Sequence, residues 1–246
     1  MARSCTGLVA MLVLMAAMVP GQADQLSPPA VVELFTSQGC SSCPAADEIL
    51  GELAKRQDVI ALSLPVDYWD YLGWRDTLAS HEFTERQRSY ALARGDGQVY
   101  TPQVVVNGLV HAVGSRLADI EAAMAATEAK LGTRRTSIAL RMEADDIVVD
   151  IGAATDAADP AEGRILLAMT TRSVEVPIAR GENRGRTITY YNVVRKLTEI
   201  GRWTGAAQSI HVSKSEYAGA ESDGCVVLLQ TGAVGPIVAA AQLADF

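Results

Sequence analysis

Apolar and polar positions alternate with two different periods along this chain. Val31 to Phe35 is an apolar, β-branched run interrupted only by Glu33, the pattern of a strand covered on both faces. Gln38-Gly39 breaks it. From Pro44 onward Ile49, Leu50, Leu53 and Ala54 share one helical face. Pro44 suits a first helical turn, where its missing N–H is no loss. Val59 to Leu64 reads as a second buried strand, with Pro65 at its end. Strand, helix and strand in this order predict a βαβ unit with parallel strands.

Ser80 to Arg94 predicts an exposed helix, capped by Ser80 and carrying Arg86, Arg88 and Arg94 into solvent. Asn107-Gly108 between β-branched runs predicts a hairpin. Leu117 to Leu131 is an alanine-rich helical stretch with Leu117, Ile120, Met124 and Leu131 facing inward. Beyond Arg134 the pattern changes to strands at short spacing: 137–142, 147–151, 165–176, 187–197, 209–213 and 225–229. Polar, glycine-bearing gaps separate them, and Asn183-Arg184-Gly185-Arg186 reads as a solvated turn. About seven strands at this spacing predict a small antiparallel β-sandwich.

Composition adds an address. The chain has 246 residues, of which 49% are apolar, enough for a sizeable core. Arg3 followed by the apolar run Gly7 to Val19 and the small residues Gly21-Gln22-Ala23 predicts a secretory signal over residues 1–23. No long apolar run follows, so the mature chain is not expected to insert in a membrane. The formal charge of −8 argues against nucleic acid as a partner. Cys5 leaves with the signal, and Cys40, Cys43 and Cys225 remain. Three cysteines are too few for a disulfide-built scaffold.

The candidate chemistry is concentrated at Cys40-Ser41-Ser42-Cys43, after a strand and at the mouth of a helix. Free N–H groups at a helix start favour negative charge, and the thiolate is the reactive form of cysteine. Three readings of the pair stand: a redox-active disulfide, a static staple, and half of a metal site. Copper held by Cys40, Cys43 and one histidine would be the metal version. Against it, His81, His111 and His211 are scattered and no methionine cluster accompanies them. No cofactor is implied. Cys225 opens an apolar strand and reads as a buried, inert thiol. Tyr68, Trp69, Tyr71 and Trp74 form either an aromatic plug or the wall of a substrate groove. Glu33 is costly in an apolar strand unless it is neutral or hydrogen-bonded.

The order of strand, Cys-x-x-Cys helix, strand, inserted helix, Thr101-Pro102, hairpin and helix resembles a thioredoxin fold. The resemblance implies that Pro102 is a cis-proline facing the cysteines and shaping the substrate groove. It implies that Cys40 attacks and Cys43 resolves, and that Glu33 exchanges protons with Cys43. It also implies protein thiols or disulfides as partners. One departure is Gly39, which stands where thioredoxins usually have tryptophan. Three longer segments, Glu33 to Pro44, Val66 to Trp74 and Val99 to Gln103, resemble more closely a family of secreted bacterial thioredoxin-like proteins. That family is catalogued only as a domain of unknown function (DUF1223). The expected architecture is therefore an α/β thioredoxin-like domain over residues 29–132, with a helical insertion at 67–99. An all-β sandwich-like domain over 135–246 follows it. The expected function is an exported thiol–disulfide oxidoreductase or redox-active accessory protein. Its alternatives are a copper-binding accessory protein and an interaction module with a structural disulfide.

Overall fold

A computed structural model describes residues 29–155, 162–219 and 221–244. The expected secretory signal lies outside the described residues. In chain order the elements are β1 (Ala30–Thr36), α1 (Pro44–Leu53), β2 (Val59–Pro65), α2 (His81–Arg94), β3 (Gln103–Val106), β4 (Val110–Val113) and α3 (Leu117–Leu131). Then come β5 (Ile138–Glu143), β6 (Asp146–Ile151), β7 (Gly163–Pro177), β8 (Thr187–Trp203), β9 (Gln208–Val212), α4 (Lys214–Tyr217), β10 (Gly224–Thr231) and β11 (Ile237–Ala244).

The arrangement of these elements overturns the expected fold class. The protein is mostly β, and it is not an α/β thioredoxin-like domain followed by a sandwich. One mixed sheet of eight strands runs in the order β11-β10-β7-β8-β2-β1-β3-β4, and β5-β6-β9 form a second sheet of three. The physical reason lies in β8. This 17-residue strand pairs with β7 along its whole length on one edge, and its other edge joins β2 in parallel, at Ser63 and Val193. Asn192, in the left-handed region with φ of 44°, donates from its side chain to the Ala61 carbonyl at 3.0 Å across the same seam. The edge of β2 is thus covered by the second half of the chain. Apolar periodicity identifies a strand but not the strand it will pair with.

The local elements follow from their residues. β1 and β2 pair in parallel from Ala30 opposite Val59 to Thr36 opposite Pro65. One face of β1 places Val32 and Leu34 in a cluster with Ala46, Leu50 and Leu53 of α1 and Ile120 of α3. The other face places Val31 and Phe35 in a cluster with Phe83 and Tyr90 of α2 and with Leu166, Val194 and Val226 from the second half. Burying such side chains stabilises the fold by roughly 1.5–3 kcal/mol each. Asn107 and Gly108 take positive φ at the β3–β4 turn, and the Asn107 side chain ties β1 to α3 through Val31 N and Thr127 Oγ1.

Two helix faces differ from expectation. α2 is not solvated on all sides, for Phe83, Thr84, Arg86, Gln87, Tyr90 and Ala91 are buried. On α3 the buried positions are Ile120, Ala123, Thr127 and Leu131, whereas Leu117 is exposed.

Candidate functional site

The Cys40-to-Cys43 segment connects β1 to α1, and its position is set by the chain on either side. Pro44 opens α1, and Cys43 is the N-cap residue with helical backbone angles. Cys43 N donates to the Cys40 carbonyl at 3.2 Å, folding the segment into a turn that brings the two Cα atoms within 5.4 Å. Cys40 and Cys43 are joined as a disulfide. Both residues are buried, at 1% and 0% exposure, while Ser41 and Ser42 between them are exposed.

Two loops hold this turn. From the β7–β8 loop, Asn183 donates to the carbonyls of Gln38 and Cys40, both at 2.9 Å. Glu182 accepts from the Ser41 N–H at 3.3 Å, so a carboxylate from the same loop sits against the turn between the two cysteines. The segment expected to be a solvated turn is thus the clamp of the cysteine turn, with Asn183 itself buried. From the β2–α2 connection, Trp74 Nε1 donates to Gln38 Oε1 at 2.8 Å, and Asp76 accepts from Gln38 N at 2.7 Å.

The aromatic stretch also explains Gly39. A Cβ at Gly39 would lie 3.0 Å from Trp69 Cβ, so the absent side chain makes room for this tryptophan. Trp69 Nε1 donates to Thr101 Oγ1 at 2.8 Å. Thr101 precedes Pro102, and the peptide bond between them is cis. A Cβ at Gly114 would lie 3.2 Å from Pro102 Cβ and 3.1 Å from Ala46 Cβ, which places the proline ring beside the first turn of α1. Cys40, Cys43 and Pro102 therefore belong to one locality, joined to Trp69 through Thr101.

Glu33 does not belong to it. It lies on the α2 face of β1, opposite the face on which α1 packs. Its Oε1 accepts from Arg86 Nε at 2.7 Å and its Oε2 from Tyr90 OH at 2.5 Å. Arg86 and Tyr90 in turn bond Gln230 of β10. The carboxylate is satisfied by Arg86 and Tyr90 within this network.

The acid on the cysteine side is Asp47, one helical turn after Cys43. It is buried at 1% exposure, and neither carboxylate oxygen has a hydrogen-bond partner. Burial holds its carboxyl well above the usual carboxylate range; the nearby Thr36 hydroxyl offsets part of this, and Asp76 and Glu48 add to it. The signal was present in the spacing. Cys43, Ala46, Asp47 and Leu50 fall on one helical face, and Ala46 and Leu50 are apolar.

Cys225 is buried and unpaired, and burial pushes its thiol up to about 12. Among the described residues no group of three or more histidine, cysteine, aspartate or glutamate side chains is arranged to hold a metal ion. No helix among them is long and apolar enough to cross a membrane.

A buried cystine at a helix start, clamped by loops from both halves of the chain, defines the class of site. The sequence matches the family described as "Protein of unknown function (DUF1223)" over residues 31–230, and the chain belongs to that family. Protein AGR_C_4864 from Agrobacterium tumefaciens is 36% identical, with 89% of this chain and 96% of that one aligned and a TM-score of 0.79. HBP35 of Porphyromonas gingivalis, at 10% identity, shares the fold alone, with a TM-score of 0.60 over 89% of this chain and 75% of its own. No curated protein matches.

Proposed function

We propose that the protein is an exported thiol–disulfide oxidoreductase, or a redox-active accessory protein, whose Cys40–Cys43 disulfide exchanges with protein thiols or disulfides. The observation that carries this reading is the position of the cystine at the N-terminal end of α1, with Cys43 as the N-cap residue. A Cys40 thiolate formed there is stabilised by the positive end of the helix. In the reducing direction Cys40 attacks a substrate disulfide, and one substrate sulfur leaves as a thiolate. Cys43 then attacks the Cys40 sulfur of the mixed disulfide, re-forming the cystine and releasing the second substrate sulfur. In this reading Pro102, after its cis bond to Thr101, shapes the substrate groove. Export rests on the charged start and short apolar run of residues 1–23.

The test is capture. Reduced Cys43→Ser protein, offered protein disulfides from periplasmic extract, accumulates mixed disulfides through Cys40, because the resolving thiol is gone. Cys40→Ser captures nothing. Equal capture by both variants, or by neither, contradicts the reading. Cleavage near Ala23 is read by mass spectrometry of the native protein, and an intact Met1 contradicts export.

A further inference from the structure

We propose that Asp47 is the proton-handling group of the cysteine pair, taking the thiol proton of Cys43 as that sulfur becomes the nucleophile and returning it when the cystine is reduced. This rests on the exchange reading above and assigns one of its steps.

The geometry comes first. Asp47 N donates to the Cys43 carbonyl at 3.1 Å, so the two residues stand at i and i+4 on a continuous helical turn. Side chains so spaced are neighbours, with Cβ atoms about 5–6 Å apart. The Cα–Cβ bonds of a helix tilt toward its N-terminus, which leans the Asp47 carboxyl toward Cys43. Leu50, the next residue on this face, belongs to the apolar cluster beneath.

The carboxyl also has unused capacity. Both oxygens are buried without a hydrogen-bond partner, and so are Thr36 Oγ1 and Tyr190 OH. The groups that face it are Thr36 at the end of β1, Asp76 from the β2–α2 connection, Glu48 on its own helix and Tyr190 on β8. None of these is a cation, so none of them locks Asp47 in its ionised form. A buried, unpartnered carboxyl costs stability, and an apolar residue would pack this face without that cost. Glu33 presents the opposite case, with both oxygens engaged by Arg86 and Tyr90 on the far face of the sheet. The two acids thus divide structure and chemistry.

Cys43–SH gives its proton to the Asp47 carboxylate. The resulting thiolate attacks the Cys40 sulfur of the mixed disulfide, forming the Cys40–Cys43 bond and breaking the bond to the substrate. The electron pair leaves with the substrate sulfur as a thiolate. Asp47 is left protonated and returns its proton to Cys43 when the pair is next reduced.

A chromogenic aromatic disulfide, 5,5′-dithiobis(2-nitrobenzoate), separates the two steps. Mixed with the reduced protein, it releases one thiolate on attack by Cys40 and a second when Cys43 closes the cystine. The expected result for Asp47→Asn is a first phase within about twofold of the unaltered protein and a second phase slowed at least roughly tenfold at neutral pH. Its second phase should rise with pH without levelling off, as hydroxide replaces the lost base, whereas that of the unaltered protein levels off once Asp47 is ionised. A second phase unchanged in rate and pH profile overturns the inference while the first phase upholds the exchange reading. No first phase in the unaltered protein overturns both. Should Asp47→Asn not fold, redox-difference infrared spectra of the unaltered protein decide. A change in the protonated-carboxyl band between oxidised and reduced states supports the assignment, and a flat carboxyl region refutes it.

Discussion

Glu33 and Arg86 form an ion pair at 2.7 Å between β1 and α2, with side-chain exposures of 1% and 5%. The pair is buried between two elements that are 53 residues apart in the chain, and Gln230 of β10 bonds the same arginine at 3.1 Å. This relationship gives the most conspicuous acid of the sequence two buried partners, Arg86 and Tyr90. Removing one member strands the other charge. Glu33→Gln should therefore lower unfolding stability by about 3–5 kcal/mol, the usual cost of breaking a buried pair. Urea titration checks it, and a loss within about 0.5 kcal/mol, typical of surface substitutions, would show that the pair does not hold the sheet to α2.

Asn183 offers a prediction about access. Its amide holds the Gln38 and Cys40 carbonyls, and the cystine beneath is fully buried. Reduction therefore requires local opening, and the free energy of opening sets the rate. Asn183→Ala removes both hydrogen bonds, worth about 0.5–1.5 kcal/mol each. The cystine should then be reduced by dithiothreitol at least several-fold faster than in the unaltered protein. An unchanged rate would mean that the β7–β8 loop does not control access.

Gly108 tests the seam between the β3–β4 turn and the second half of the chain. It has a φ of 67°, and a Cβ there would come 2.3 Å from the Gly235 carbonyl oxygen. The obstacle is backbone, so it cannot rotate away. Gly108→Ala should lose about 1–3 kcal/mol to overpacking and about 1–2 kcal/mol more to the left-handed conformation. A melting temperature equal to that of the unaltered protein would refute this close approach.

Asp47 has a thermodynamic signature independent of kinetics. Its folded-state pKa is raised by burial, so the folded state holds the proton over a range where the unfolded chain, with a pKa of about 3.9, has lost it. Its contribution to stability therefore falls as pH rises from near 4 through the raised value, and the penalty is complete above it. Asp47→Asn removes that penalty. The variant should gain stability relative to the unaltered protein toward neutral pH and match it more closely near pH 4. Denaturant titrations at the two pH values check the sign, and the opposite trend would mean that Asp47 is stabilised as a carboxylate.

The legibility of the fold in the sequence was uneven, for physical reasons. The strand-turn-helix around Cys40 and Cys43 was readable because proline, glycine and apolar spacing act locally. The hairpin at Asn107-Gly108 was readable for the same reason. Of the seven strands after Arg134, β5 to β10 are legible as strands and β11 is not; β8 moreover pairs with β2, and an apolar strand does not encode its partner. Arginine usually lies in solvent, which hides Arg86; yet Phe83, Arg86, Gln87 and Tyr90 recur at helical spacing and share one buried face. Asn183 could not have been found, since its two acceptors lie more than 140 residues away in the chain. Asp47 could have been found from its distance of four residues from Cys43.

The central claim is that Cys40–Cys43 is an exchange disulfide, and its equilibrium potential is the direct measurement. The oxidised protein is equilibrated against graded ratios of reduced and oxidised dithiothreitol, and the free thiols of Cys40 and Cys43 are counted by alkylation and mass spectrometry. Cys225, buried with its thiol pushed up to about 12, should stay unlabelled in the folded protein. The account predicts a potential between about −120 and −270 mV, the span of disulfides that turn over by exchange. A potential below about −300 mV would mark a structural staple and contradict it.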